Sequence, residues 1–139
     1  MRNLYYEVWA DAIFKLQSIP ANRGMWKFYS ILFMSMTMAL NLWLLDFILM
    51  LHFKIIIPFF PFDVRFTQIK SVDAFLSFFL SYLLPFFLLN YFAIFRCQTY
   101  KKLLLIYKPR NGKYFFYYFV GTISSIILYF TISFILINL

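Results

Sequence analysis

Residues 74–95 read AFLSFFLSYLLPFFLLNYFAIF, an apolar run that contains no charged side chain. At the rise of an α-helix, a run of this length extends about 33 Å, which is enough to cross the hydrocarbon core of a bilayer. Six cations and no acid follow in residues 96–113, and loops rich in Lys and Arg remain in the cytoplasm. The stretch therefore predicts a membrane-spanning helix whose C-terminal end is cytoplasmic.

Two further apolar runs flank this one, and the composition of the whole chain agrees with them. Of 139 residues, 64% are hydrophobic and 13% are charged, which is far from the composition of a soluble domain. Only lipid or other helices can cover three separate runs of this length. We therefore predict an all-α integral membrane protein that forms one membrane domain, with spans at residues 27–50, 74–96 and 114–137.

The positions of the cations predict the orientation of the chain. Ten of the 13 Lys and Arg residues precede the first span or lie between the second and third, which predicts a cytoplasmic N-terminus and a periplasmic C-terminus in a bacterial inner membrane. Cations at membrane boundaries are attracted to anionic phospholipids, so we expect these lipids, and no nucleic acid, as partners. In and beside the basic loop at residues 97–113, the expected contacts with headgroups or a partner protein are Arg96, Lys101, Lys102, Lys108, Arg110 and Lys113.

The N-terminal residues 3–18 show the periodicity of an amphipathic helix. One face carries apolar side chains, whereas Asp11 and Lys15 lie on the other face, where they are spaced to form an ion pair. This pattern predicts an interfacial helix on the cytoplasmic surface. Such a helix is either a simple anchor or a docking element for a partner, with contacts from Tyr5, Trp9 and Ile13.

Polar and small residues recur inside the predicted spans. An Asn or Ser side chain in hydrocarbon bonds to a neighbouring helix, and small residues let helices approach closely. Pro85 cannot donate to the carbonyl of Ser81, so we expect a kink there. The residues that we predict to pack between helices are Thr37, Asn41, Ser77, Ser81, Pro85, Asn90, Gly121, Ser124 and Ser125.

Asp46 is the one acid in a predicted span, and an intramembrane acid is a candidate for function. A helix from Lys27 to Asp46 rises about 28 Å, so the carboxylate lies either in hydrocarbon or at the outer interface. Residues 47–62 are too apolar for an ordinary outer loop, and Pro58 and Pro61 prevent a continuous helix through them. We expect this segment to lie in the interface or against a partner.

The residue types that carry catalysis are few. The chain has five acids, one histidine (His52) and one cysteine (Cys97), and their spacing matches no metal site and no nucleophile with its base. A single cysteine also excludes a disulfide within the chain. We therefore expect no enzymatic activity, no metal or other cofactor, and no small-molecule substrate.

Several short motifs resemble those of a group of short, uncharacterised three-helix inner-membrane proteins of Gram-negative bacteria. The resemblance implies an inner-membrane location and three spans, and it carries no function. The motifs are Tyr5-Tyr6 with Trp9, Asp11-Ala12-Ile13, Asn41-Leu42-Trp43, Pro85-Phe86 with Leu89-Asn90-Tyr91, and Asn111-Gly112-Lys113.

Three functions are compatible with this pattern. Polar positions inside the spans, together with the lack of catalytic groups, favour an accessory or scaffolding subunit of a larger inner-membrane complex, with protein export or another envelope transport machine as its host. A homo-oligomeric channel or carrier is the first alternative, because Asp46 and Pro85 fall in spans. A membrane regulator that binds a target protein is the second.

Overall fold

A computed structural model of the protein describes residues 3–55, 63–65 and 69–137. These residues form helices and the turns between them, so the all-α prediction is confirmed for this part of the chain. The α-helices are α1 (Leu4–Ser18), α2 (Trp26–Phe53), α3 (Lys70–Phe78), α4 (Leu84–Asn90), α5 (Thr99–Ile106) and α6 (Lys113–Ile137). A 3-10 turn, Pro20–Asn22, and two π-helical segments, Phe79–Leu83 and Tyr91–Arg96, complete the helical elements.

Three of the helical stretches are long and apolar enough to cross a membrane, as predicted. They cover Trp26–Phe53, Lys70–Arg96 and Lys113–Leu136, with lengths of 28, 27 and 24 residues. The first stretch ends at Phe53, so the start of the predicted outer segment 47–62 is helical. The remainder of that segment from residue 56, with Pro58 and Pro61, lies outside the described residues.

The second stretch accommodates Pro85 through a change in helix type. The π-helical segment Phe79–Leu83 directly precedes α4, in which Pro85 occupies the first turn. A π-turn bonds residues five apart, so the chain absorbs the missing proline N–H without leaving the helix. After a second π-helical segment, Gln98 adopts a left-handed conformation with φ of 51° and separates this stretch from α5.

The chain divides into two compact units, and each has its own core. The first unit comprises residues 1–30 and 98–139, in which α1 packs against both α5 and α6. The second unit comprises residues 31–97, namely most of α2 and the whole second apolar stretch.

Helix α1 is buried on more sides than an amphipathic surface helix. Residues 8–13 are all buried, and the side chain of Asp11 is only 1% exposed. The prediction that Asp11 lies on an exposed polar face is therefore wrong, because α5 and α6 cover two sides of α1 where the sequence pattern assumes one. Trp9 and Ile13 are 0% exposed, so they form the core of the first unit and are not available as the predicted docking contacts.

Candidate functional site

The basic loop between α5 and α6 turns sharply, and its sequence explains how. Asn111 and Gly112 follow one another in left-handed conformations, with φ of 56° and 83°. Glycine adopts this region without steric cost and asparagine tolerates it better than most residues. Two such residues in succession reverse the chain and turn the backbone N–H groups of the loop towards α1.

The carboxylate of Asp11 accepts hydrogen bonds from those N–H groups. Its Oδ1 accepts hydrogen bonds from the backbone N–H of Arg110 at 2.7 Å and of Gly112 at 2.9 Å, and its Oδ2 accepts one from Tyr114 at 2.8 Å. Carboxylates are favoured at helix N-termini, where free N–H groups and the helix dipole offset the negative charge. Asp11 therefore orders the loop and caps the first turn of α6.

Lys15, which lies one turn after Asp11 on α1, contacts the same loop. The predicted ion pair between Lys15 and Asp11 is wrong, because Lys15 Nζ instead donates a hydrogen bond to Asn111 Oδ1 at 3.2 Å. The stem of Lys15 also lies against Gly112, where an added Cβ would be 2.8 Å from Lys15 Cγ. Gly112 is thus required both for its backbone conformation and for this close approach.

The six cations predicted to contact headgroups or a partner are all exposed. Arg96 and Arg110 stack on the rings of Phe92 and Tyr114, at 5.0 and 4.8 Å from the ring centroids. Among the residues that the structure describes, an ion pair joins Arg65 and Asp63, neither of which belongs to this loop, and Asp11 bonds to backbone N–H groups. The surface therefore keeps its positive charge.

A cleft of about 570 Å³ opens beside this loop in the first unit. Tyr6 and Tyr107 lie next to it, with ring centroids 6.4 Å apart. Its lining residues are Glu7, Ile106, Tyr107, Lys108, Pro109, Arg110 and Tyr114. The cleft thus combines two cations with one acid, two phenol rings and an apolar edge.

Tyr5 is the one predicted docking residue that retains exposed surface. It is 36% exposed, and its ring meets the edge of the Trp9 indole at a centroid distance of 6.4 Å. Partial burial raises the pKa of Tyr5 above its usual range. Tyr5 is therefore a neutral phenol that could contact a partner from the rim of the first unit.

In the second unit, polar side chains bond across helices. Asn90 is buried, and its Nδ2 donates to Ser35 Oγ at 2.9 Å and makes a longer contact of 3.5 Å with Met38 Sδ. Tyr82 donates from its hydroxyl to Asp46 Oδ2 at 2.6 Å. These bonds join α2 to the second apolar stretch at two levels, and sequence patterns did not identify Ser35 or Tyr82 as partners.

The other predicted packing residues of this unit bond locally or are buried. Thr37 is fully buried and donates to the carbonyl of Phe33 at 2.8 Å. Ser77 donates to the carbonyl of Asp73 and accepts from the N–H of Val64. The remaining three differ in exposure: Ser81 is buried, whereas Asn41 and Pro85 are half-buried.

The small residues of α6 lie on an open face. Gly121, Ser124 and Ser125 are exposed, and a Cβ added to Gly121 would have no atom within 4 Å. Ser125 donates to the carbonyl of Gly121 at 2.8 Å, so its hydroxyl is satisfied within the helix. Thr122, which the sequence did not single out, is the buried polar residue of this helix.

The described residues bring no three potential metal ligands of the His, Cys, Asp or Glu type together. Cys97 and His52 are both exposed. The chemistry that the site offers is therefore electrostatic and apolar contact at the basic loop, with the hydrogen bonds of Asp11 holding its shape.

Comparison with models of known protein families found no match to this chain. Searches among curated proteins and solved structures also found no significant match.

Proposed function

We propose that this chain is a small, non-catalytic accessory or scaffolding subunit, which spans a bacterial inner membrane three times and docks onto a larger membrane complex. The observation that carries the proposal is the open face of α6. This apolar helix leaves Gly121, Ser124 and Ser125 uncovered, and small residues on one face suit close approach of another helix. Protein export or another envelope transport machine is the proposed host.

The contact between α1 and the basic loop supports the proposed topology. Asp11 bonds to Gly112, so the N-terminal helix and the loop are on the same side of the membrane. Two apolar stretches, Trp26–Phe53 and Lys70–Arg96, lie between these residues, and two crossings return the chain to its starting side. The cations of the loop then favour the cytoplasmic side, which leaves the C-terminus of α6 in the periplasm.

The exposed cations support a role in contact rather than catalysis. In the proposed assembly, the first unit contacts the cytoplasmic face of the complex through its basic loop and Tyr5. Helix α6 meets a helix of the complex within the membrane. Such division of contacts is expected of a subunit that positions or stabilises a larger partner.

The test is purification of the tagged protein from native membranes in mild detergent, followed by mass spectrometry and particle sizing. We expect a stoichiometric integral membrane partner that is lost in Gly121→Leu and retained in Val120→Leu. Both positions are exposed, and Gly121 has space for a side chain within the chain itself, so this pair separates loss of a partner from misfolding. Retention of the partner by Gly121→Leu would contradict docking through this face.

Two other results would favour the alternative functions. A homo-oligomer without another protein would support a channel or carrier, in which the hydrogen-bonded pair of Asp46 and Tyr82 becomes the first residue pair to test by ion flux in liposomes. A partner that binds substoichiometrically and changes activity on release would support a membrane regulator.

A further inference from the structure

The surface that includes α5 and the cleft beside it has an unusual combination of exposed side chains. Leu105 and Ile106 are 87% and 71% exposed, although they are among the most apolar residue types. Lys101 and Lys102 lie one turn before them on α5, and Lys108 follows them in the loop. Large exposed apolar side chains next to cations are typical of helices that lie in the headgroup region of a membrane.

The cleft continues this surface. Ile106 forms part of its lining, and Lys108 and Arg110 line it as well. Glu7 is the one carboxylate in the lining, so the two cations outweigh it. The cleft therefore favours an anionic group, and its apolar edge at Ile106 is continuous with the exposed side chain of Leu105.

The backbone of the loop and the guanidinium of Arg110 are held in place before any ligand binds. Asp11 accepts hydrogen bonds from the backbone N–H groups of Arg110, Gly112 and Tyr114. The guanidinium carbon of Arg110 lies 4.8 Å from the centroid of the Tyr114 ring. A binding surface that is already ordered loses less conformational entropy when it binds. The hydrogen bonds of Asp11 go to backbone groups, so the side chains of Lys108 and Arg110 keep their own N–H donors for a ligand.

We propose that this surface binds an anionic phospholipid. Lys108 and Arg110 hold its phosphate in the cleft, and Leu105 and Ile106 lie along the glycerol and the upper acyl chains. The site rests on the membrane location proposed above, since α6 begins at Lys113 and brings the loop to the level of the headgroups. An acidic protein would satisfy the cations but would leave Leu105 and Ile106 without an apolar contact.

The test compares lipid retention in nanodiscs of phosphatidylcholine to which phosphatidylglycerol is added. The protein is extracted in mild detergent, and the two lipids that remain bound are measured by native mass spectrometry. Each cation near a membrane surface contributes a factor of about 5 in affinity, so K108Q/R110Q should lower the preference for phosphatidylglycerol on the order of 30-fold. The matched control, K54Q/K70Q, removes two exposed cations that do not line the cleft and should lower the preference much less.

A second variant tests the apolar half of the site. L105S/I106S changes side chains that are exposed, so it should preserve the fold while shortening the retention of both lipids. Equal preference for phosphatidylglycerol in K108Q/R110Q and in the wild type would overturn the proposal. Release of the lipid by inorganic phosphate, or loss of a protein partner with no change in lipid, would overturn it as well. Failure to enter neutral nanodiscs would contradict the membrane location itself, whereas entry without lipid preference would contradict only this site.

Discussion

Asp11 and Gly112 are 101 positions apart in the chain, and the backbone N–H of Gly112 donates to Asp11 Oδ1 at 2.9 Å. This bond joins the N-terminal helix to the loop that precedes α6. It is one of three that the same carboxylate accepts, and the side chain of Asp11 is only 1% exposed. The shape of the basic surface therefore depends on one acid at the other end of the chain.

Asp11→Asn should destabilise the first unit by about 2 to 4 kcal/mol, because one of the three N–H donors then faces an amide NH2 and the charge-assisted bonds weaken. Thermal unfolding in detergent measures the loss of stability, and trypsin should cleave after Arg110 more rapidly. Asp63→Asn is the matched control. Asp63 pairs with Arg65 on the surface, with both side chains largely exposed, so its change should stay below about 0.5 kcal/mol. Equal effects of the two variants would contradict the role of Asp11.

Gly112→Ala should lower the free energy of unfolding more than Gly24→Ala does. Both glycines have positive φ, so each substitution carries the backbone penalty of about 1 to 2 kcal/mol for a left-handed residue. Only Gly112 lacks space, since its added Cβ would meet the side chain of Lys15, whereas Gly24 has no atom within 4 Å. The extra destabilisation of Gly112→Ala, relative to Gly24→Ala, should fall when Lys15→Ala is combined with it. If that extra destabilisation persists in the double variant, a contact other than the one with Lys15 causes it.

Asn90→Ala and Ser35→Ala should each destabilise the second unit, and their effects should not add. The hydrogen bond between these side chains predicts a coupling of about 0.6 to 1.7 kcal/mol, the range measured for bonds between helices in membranes. A double-mutant cycle with reversible unfolding in SDS gives the value. Thr37→Ala provides the comparison, because Thr37 bonds within its own helix and should not couple to Asn90. Additive effects of Asn90→Ala and Ser35→Ala would contradict the bond.

Tyr82→Phe should destabilise the second unit by about 1 to 3 kcal/mol, because it removes the donor to the Asp46 carboxylate and changes little else. In the background of Asp46→Leu the same substitution should have almost no effect. Unfolding in SDS again gives both values. Tyr91→Phe serves as a control, since that ring is exposed. If Tyr82→Phe destabilises the Asp46→Leu variant as much as it destabilises the wild type, the hydrogen bond does not contribute to stability.

Cys97 tests the orientation of the chain. It is the one cysteine of the sequence, it is exposed, and it follows the second apolar stretch directly. A membrane-impermeant maleimide should label it in inverted membrane vesicles and not in intact spheroplasts. The variant Cys97→Ser with Lys54→Cys should show the reverse, because Lys54 follows the first stretch. Labelling of Cys97 from outside would reverse the proposed topology.

The sequence predicted the long helices because their signal is local. An apolar run of sufficient length identifies each helix, whatever it packs against. The sequence did not predict the π-helical segments, because a proline indicates only that one backbone hydrogen bond of the helix is absent. At Pro85 the sequence predicts a kink, and the structure has a π-helical segment, Phe79–Leu83, directly before the helix that contains Pro85.

The role of Asp11 could not be predicted from the same kind of evidence. Its partners lie about a hundred residues away, and periodicity places it on a polar face if only one side of α1 is covered. Two signals were present: an acid within a short apolar segment, and an Asn-Gly turn whose inward N–H groups need an acceptor. Neither feature predicts that the other is its hydrogen-bonding partner. Only the packing of α1 between α5 and α6 brings them together.

The packing of α1 also has a consequence for the order of synthesis. Helix α1 is made before α5 and α6, the helices that pack against it and bury Trp9 and Ile13. At about 5 to 20 residues per second, the chain between Asp11 and Gly112 takes roughly 5 to 20 s to translate. During that interval Trp9 and Ile13 lack the neighbours that bury them in the finished first unit. The first unit is thus completed only after the two candidate spans between α1 and α5 have been made.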